Sequence, residues 1–119
     1  MARIMIAEDS DATRLVLKDS LHIGRHELVA EAKDGIEAIE KFNLIHPDVL
    51  LLDISMPKKD GVSVLQEIMS SDHEAKIIMI TADENFNTIH KSTVEGAQAY
   101  IIKPFSFTDV LNAITMVLN

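Results

Sequence analysis

Val49-Leu50-Leu51-Leu52-Asp53 is a run of four aliphatic residues followed at once by a carboxylate. A strand with one wet face alternates polar and apolar residues, so an unbroken apolar run belongs to a strand covered on both sides, as in a parallel sheet. Three further runs share this form: Arg3 to Ala7 before Glu8, Ile77 to Ile80 before Thr81, and Tyr100 to Ile102 before Lys103. A fifth run, Glu27 to Ala32, alternates and is expected at the sheet edge.

The segments between these runs carry helical spacing. Val110, Leu111, Ile114, Val117 and Leu118 form one stripe, with Ser106 or Thr108 available as its cap. Ile36, Ile39, Phe42 and Ile45 form another, opened by Asp34 and closed before Pro47. Val62, Leu65 and Ile68 predict a third helix, and Phe86, Ile89 and Thr93 a weak fourth that Gly96 ends. Leu17 and Leu21, with Leu15 on a neighbouring row, predict a first helix that stops near Gly24. The order is therefore (βα)₅, and alternation with right-handed crossovers implies a doubly wound α/β domain, a parallel sheet between two layers of helices.

The 119 residues suit one domain, taken as residues 1–119 with no linker, repeat or attached output domain. Cysteine is absent, which excludes a disulfide framework and thiolate metal sites. Nineteen acids against eleven bases give a net charge of −8, unsuited to a sequence-independent nucleic-acid surface. Small cations and basic protein patches are better partners. Ile4-Met5-Ile6-Ala7 is cut short by Glu8, too soon for a signal peptide, and no run approaches the roughly 18 apolar residues that span a membrane. A soluble, cytoplasmic protein is expected.

In an open doubly wound sheet the ligand crevice lies at the carboxyl ends of the strands, where strand order reverses. That rule gathers Glu8, Asp9, Asp53, Thr81 and Lys103, which follow four different strands. Three carboxylates held together repel one another and call for a proton or a cation. Mg²⁺ prefers oxygen ligands, takes one or two carboxylates and keeps waters that a phosphate displaces. With Lys103 added, the charges cancel, and such a site can accept a phosphoryl group. Asp53 is then the nucleophile that forms an aspartyl phosphate, Thr81 a hydrogen-bond donor to it, and Lys103 a charge that balances its oxygens.

At these residues the chain resembles the receiver domain of two-component response regulators. The match runs through Glu8-Asp9, Asp53-Ile54-Ser55-Met56-Pro57 with Asp60-Gly61, Thr81-Ala82, and Lys103-Pro104-Phe105. The resemblance implies the flavodoxin-like strand order 2-1-3-4-5 and phosphorylation of Asp53 by a histidine kinase or phosphotransfer protein. It also implies a Mg²⁺ site from Glu8, Asp9, Asp53 and the Ser55 carbonyl, with Thr81, Ala82 and Lys103 around the phosphoryl group. A cis bond before Pro104 and a switch aromatic at Tyr100 are implied as well. Many relatives carry Asp where this chain has Glu8, whose longer arm favours metal contact through water.

The output implied is binding of a downstream protein by a monomer, through helix four, Tyr100 and helix five. Chemotaxis regulators of the CheY type acting on a motor are the favoured comparison, ahead of a phosphorelay intermediate or a receiver cut from a larger regulator. A small magnesium phosphatase working through an aspartyl phosphate is the enzyme alternative. It wants a second Asp where this chain has Ser55. A flavin or nucleotide binder is set aside, because Glu8-Asp9 repels phosphate and neither G-x-G-x-x-G nor a P-loop is present. Ser55 and Asp83 flank the expected path of a hydrolytic water. His22, His26, His46, His73 and His90 lack metal-ligand spacing and read as solvated surface, the Lys58-Lys59 pair as a solvated turn, and the methionines as packing.

Overall fold

The computed structural model describes residues 1–82 and 86–119, the side chains of Phe86 and Thr88 excepted. Its strands are β1 (Arg3–Ala7), β2 (Glu27–Ala32), β3 (Val49–Asp53), β4 (Ile77–Thr81) and β5 (Ala99–Ile102). They form one parallel sheet in the order β2-β1-β3-β4-β5. The helices are α1 (Asp11–Ile23), α2 (Gly35–Ile45), α3 (Gly61–Ser71), α4 (Phe86–Val94) and α5 (Phe107–Leu118).

The unbroken apolar runs are explained by what covers them. Ile4, Ile6, Leu51, Ile78, Ile80 and Ile101 face one layer with Leu17 and Leu21 of α1 and Val110, Ile114 and Val117 of α5. Met5, Leu50, Leu52, Ile77 and Met79 face the other, against Phe42 of α2 and Val64, Leu65 and Ile68 of α3. Every residue of β3 and β4 is buried, whereas β2, at the edge, buries only Ala32. Burying a large aliphatic side chain contributes about 1.5–3 kcal/mol, so these central strands anchor the domain.

Several helix stripes sit differently from the expectation. On α2 the buried side chains are Ala38 and Phe42, while Ile36 is 47% exposed. Leu15 of α1 and Leu118 of α5 also face solvent. Spacing alone could not choose between neighbouring rows, and the small Ala38 lets α2 approach the sheet closely. Ser106, not Thr108, caps α5, in a reciprocal box with Asp109. His26 is an exception to the solvated histidines: half-buried, its Nδ1 accepts from the Ala2 amide at 3.2 Å. The lysine pair is engaged within the chain, Lys58 with Asp34 at 3.5 Å and Lys59 with Glu67 at 2.7 Å.

Strand register sets the site. Ala7 pairs with Leu52, which brings Glu8 beside Asp53 across the β1–β3 seam where the strand order reverses. Thr81 pairs with Ile102, so Lys103 emerges next to it. Asp53 and Thr81 are the last residues of their strands rather than the first after them, because the ladder continues through both.

The turn after β3 returns tightly. Asp60 caps α3 by accepting from the Ser63 amide at 2.9 Å, and the Gly61 amide donates to the Ile54 carbonyl at 2.7 Å. A Cβ on Gly61 would lie 2.2 Å from the Asp53 carbonyl oxygen, an approach that only glycine permits. Gly61→Ala is therefore expected to lower stability by about 1–3 kcal/mol by forcing the backbone apart. Urea unfolding checks this, and an unchanged midpoint contradicts the packing account.

Candidate functional site

Each site residue is delivered by a strand end. The Glu8 side chain is fully buried, Asp53 is 2% exposed and Thr81 is 4% exposed, while Asp9 projects to solvent. Glu8, Asp9 and Asp53 each offer a carboxylate oxygen, and these oxygens lie within 4.8 Å of one another. Lys103 Nζ, on a partly exposed side chain, stands 3.0 Å from Glu8 Oε1 and 3.7 Å from Asp53 Oδ1. The Ser55 amide donates to Asp53 Oδ1 at 3.2 Å, and the Lys103 amide donates to the Thr81 carbonyl at 2.7 Å. The Lys103–Pro104 peptide bond is cis.

The electrostatics follow from this enclosure. Burial, reinforced by the neighbouring Glu8 carboxylate, pushes Asp53 up to about 7, against the opposing pull of Lys103 and the Ser55 amide. Burial works against the Lys103 ammonium, but its contacts with Glu8 and Asp53 prevail and hold its pKa above the usual lysine value. Glu8 Oε1 makes its ion pair with Lys103 yet has no well-formed hydrogen bond, although it is buried. The Lys103 ammonium that faces this oxygen is shared with Asp53, and a further cation would offset the cost of burying both carboxylates.

The donor set fits a hard divalent ion. Oxygens on one octahedral Mg²⁺ sit roughly 3–4 Å apart, given metal–oxygen distances of about 2.1 Å. The carboxylates meet that spacing with small side-chain adjustments. Bound there, such an ion would supply positive charge to the oxygens of an entering phosphoryl group. Beside the acidic cluster a groove of about 490 Å³ is lined by Ala12, Thr13 and Val16 of α1, by Ala82 after β4, and by Lys103, Pro104 and Phe105 after β5.

Tyr100 lies on the far side of β4 from Asp53. Its half-buried ring packs against the α2–α3 layer, its hydroxyl donates to the Ile89 carbonyl of α4, and Thr93 Oγ1 stands 2.5 Å from it. The hydroxyl is thus tied to α4. Asp83, expected on the water path, lies outside the described residues.

Arg14 was not among the residues singled out in the sequence. It occupies the same stripe as Leu17 and Leu21 and is buried, with Nη1 donating to the Glu8 carbonyl at 2.9 Å. An arginine on an otherwise apolar row was the available signal.

Between about pH 4, where an unfolded Asp titrates, and about pH 7, folded Asp53 retains a proton that the unfolded chain has lost. Metal-free stability therefore falls as pH rises through that window and levels off above it. Asp53→Asn removes this loss and is expected to exceed the parent at pH 8 by on the order of 2 kcal/mol, with the gap closing toward pH 4. Thermal unfolding in a chelator at both pH values checks it. A variant less stable than its parent at pH 8 contradicts the assignment.

Comparison with known proteins agrees with this geometry. The family model of the response regulator receiver domain matches residues 4–115. The chemotaxis protein CheY of Bacillus subtilis is 39% identical over 117 residues, covering 98% of each chain. The transcriptional regulatory protein PdtaR of Mycobacterium tuberculosis is 37% identical over 98% of this chain, which spans 57% of that protein. Among solved structures, the CheX–CheY–BeF₃–Mg²⁺ complex from Borrelia burgdorferi superposes with a TM-score of 0.95 at 31% identity, covering 98% of this chain and 89% of that one. Strand order, convergent carboxylates and relatedness lead to one conclusion: this chain belongs to the receiver domain family of two-component response regulators.

Proposed function

We propose that Asp53 is the phosphoacceptor of a signalling switch that receives its phosphoryl group from a phosphohistidine on a kinase or phosphotransfer protein. The observation that carries this reading is the meeting of Glu8, Asp53 and Lys103 within 3.7 Å contacts at the sheet's reversal point. An Asp53 carboxylate oxygen bonds to phosphorus as the bond from phosphorus to the histidine nitrogen breaks, and the imidazole leaves with the electron pair. Glu8, Asp9, Asp53 and the Ser55 carbonyl would hold Mg²⁺. Lys103, Thr81 and the Ala82 backbone would contact the phosphoryl oxygens, stabilising charge where it develops.

The chain assists its own phosphorylation and dephosphorylation and turns over no external substrate. Residues 1–119 act as a single receiver domain in the cytoplasm. Among the described residues no helix is long and apolar enough to cross a membrane.

Output is partner binding through α4, β5 and α5. A phosphoryl dianion on Asp53 favours the loop conformation that brings Thr81 closer, and the freed space lets Tyr100 leave its tether on α4. The 39% identity to a chemotaxis CheY favours a motor or other chemotaxis target over a phosphorelay intermediate. The Borrelia CheY is bound to CheX, BeF₃ and Mg²⁺, and a comparable protein partner suits this chain.

Exposure to a small acyl phosphate with Mg²⁺, followed by intact-mass measurement, tests the reading. The parent is expected to gain one phosphoryl group, Asp53→Asn none, and Lys103→Met to react at least about tenfold more slowly, as loss of a charge-stabilising group demands. Tyr100→Ala should accept phosphate at the parental rate. Labelling of Asp53→Asn to the parental extent overturns the assignment.

A further inference from the structure

We propose that Arg14 is a positioning residue for the divalent-cation site, a role that rests on the reading of Glu8, Asp9 and Asp53 as its ligands. The Arg14 guanidinium reaches three segments at once. Nη1 donates to the Glu8 carbonyl at 2.9 Å, Nη2 bonds Asp11 Oδ1 at the start of α1, and Nε lies 3.4 Å from Glu31 Oε1 on β2. Lys18 Nζ approaches the other oxygen of Glu31 at 3.4 Å.

The Glu8 carbonyl belongs to the peptide plane that leads into Asp9. Glu8 is already held on its amino side, where its amide donates to the Ala32 carbonyl at 2.9 Å. Its Oε2 accepts from the Ser10 amide at 3.1 Å, and Ser10 caps α1. Arg14 supplies the remaining restraint, fixing the plane between the two acidic residues and so the direction in which each side chain leaves the backbone. Asp9 is exposed, and this peptide plane is what aims it.

Stability alone does not require an arginine here. The Arg14 side chain is 10% exposed, and a leucine would extend the apolar row of Leu17 and Leu21. Asp11 is 86% exposed, so its pairing with Arg14 is weakened by solvent. What an aliphatic residue cannot do is donate to Glu8 while gripping β2 and α1, and a lysine, with one nitrogen, cannot span all three.

Two effects of removing Arg14 have opposite signs. Loss of a nearby positive charge would tighten cation binding to an acidic pocket. Loss of positioning loosens it. Calorimetric titration of Mg²⁺ into the full chain therefore separates them, with Leu17→Val as a control that weakens the same helix without touching Glu8.

Arg14→Met is expected to raise the Mg²⁺ Kd about tenfold and Arg14→Lys about threefold, the scale of losing an outer partner of a metal ligand. Leu17→Val should bind as the parent does while melting at a lower temperature. An unchanged or tighter Kd in the folded Arg14 variants overturns the proposal, as does an equal loss in Leu17→Val. Where Arg14→Met does not fold, Arg14→Lys decides by the same criterion. A parent that takes up no Mg²⁺ overturns the cation reading itself.

Discussion

The repulsion between Glu8 and Asp53 organises this molecule. Two carboxylates are driven out of water at the ends of adjacent strands, and the only cation among the described residues that reaches both is Lys103. Burial, with the Glu8 carboxylate alongside, outweighs that one positive charge, and Asp53 accordingly holds its proton up to about pH 7. The sheet is what makes this tension possible. Leu50, Leu51, Leu52 and the neighbouring strands are buried on both faces and do not yield, so the strand ends cannot move apart to relieve it. A divalent ion and then a phosphoryl group are the chemical partners that such a site rewards.

The same rigid sheet connects the pocket to a distant helix. Thr81 ends β4, and two residues back Met79 pairs with Tyr100 on β5. Tyr100 in turn is bonded to the Ile89 carbonyl and Thr93 of α4. A short path through buried Met79 thus joins the end of the acidic pocket to an exposed helix. Exposed Val94 and Ile102 lie on the elements this path reaches, and exposed Phe107 and Met116 lie on α5, which packs beside β5.

The strands were legible because each is a short apolar run bounded by a polar residue, and the site was legible because those boundary residues share one edge of the sheet. Asp60-Gly61 was readable only as part of a family pattern. The structure adds the reasons, a cap on α3 and a contact too close for any Cβ. The rows of α2 and α5 were less readable, since Ile36 and Leu118 are as apolar as the residues that are buried, and only the approach of helix to sheet decides between them. Arg14 escaped notice because its work is done through a backbone carbonyl, which side-chain identity at Glu8 does not reveal.

The most direct measurement is the anomalous difference density of crystals grown with Mn²⁺ in place of Mg²⁺. The account predicts a single peak at the reversal point of the sheet, about 2.1–2.2 Å from carboxylate oxygens of Asp9 and Asp53, with Glu8 in contact directly or through water. A peak held elsewhere on the acidic surface, with the Glu8–Asp53 pocket empty, would contradict it.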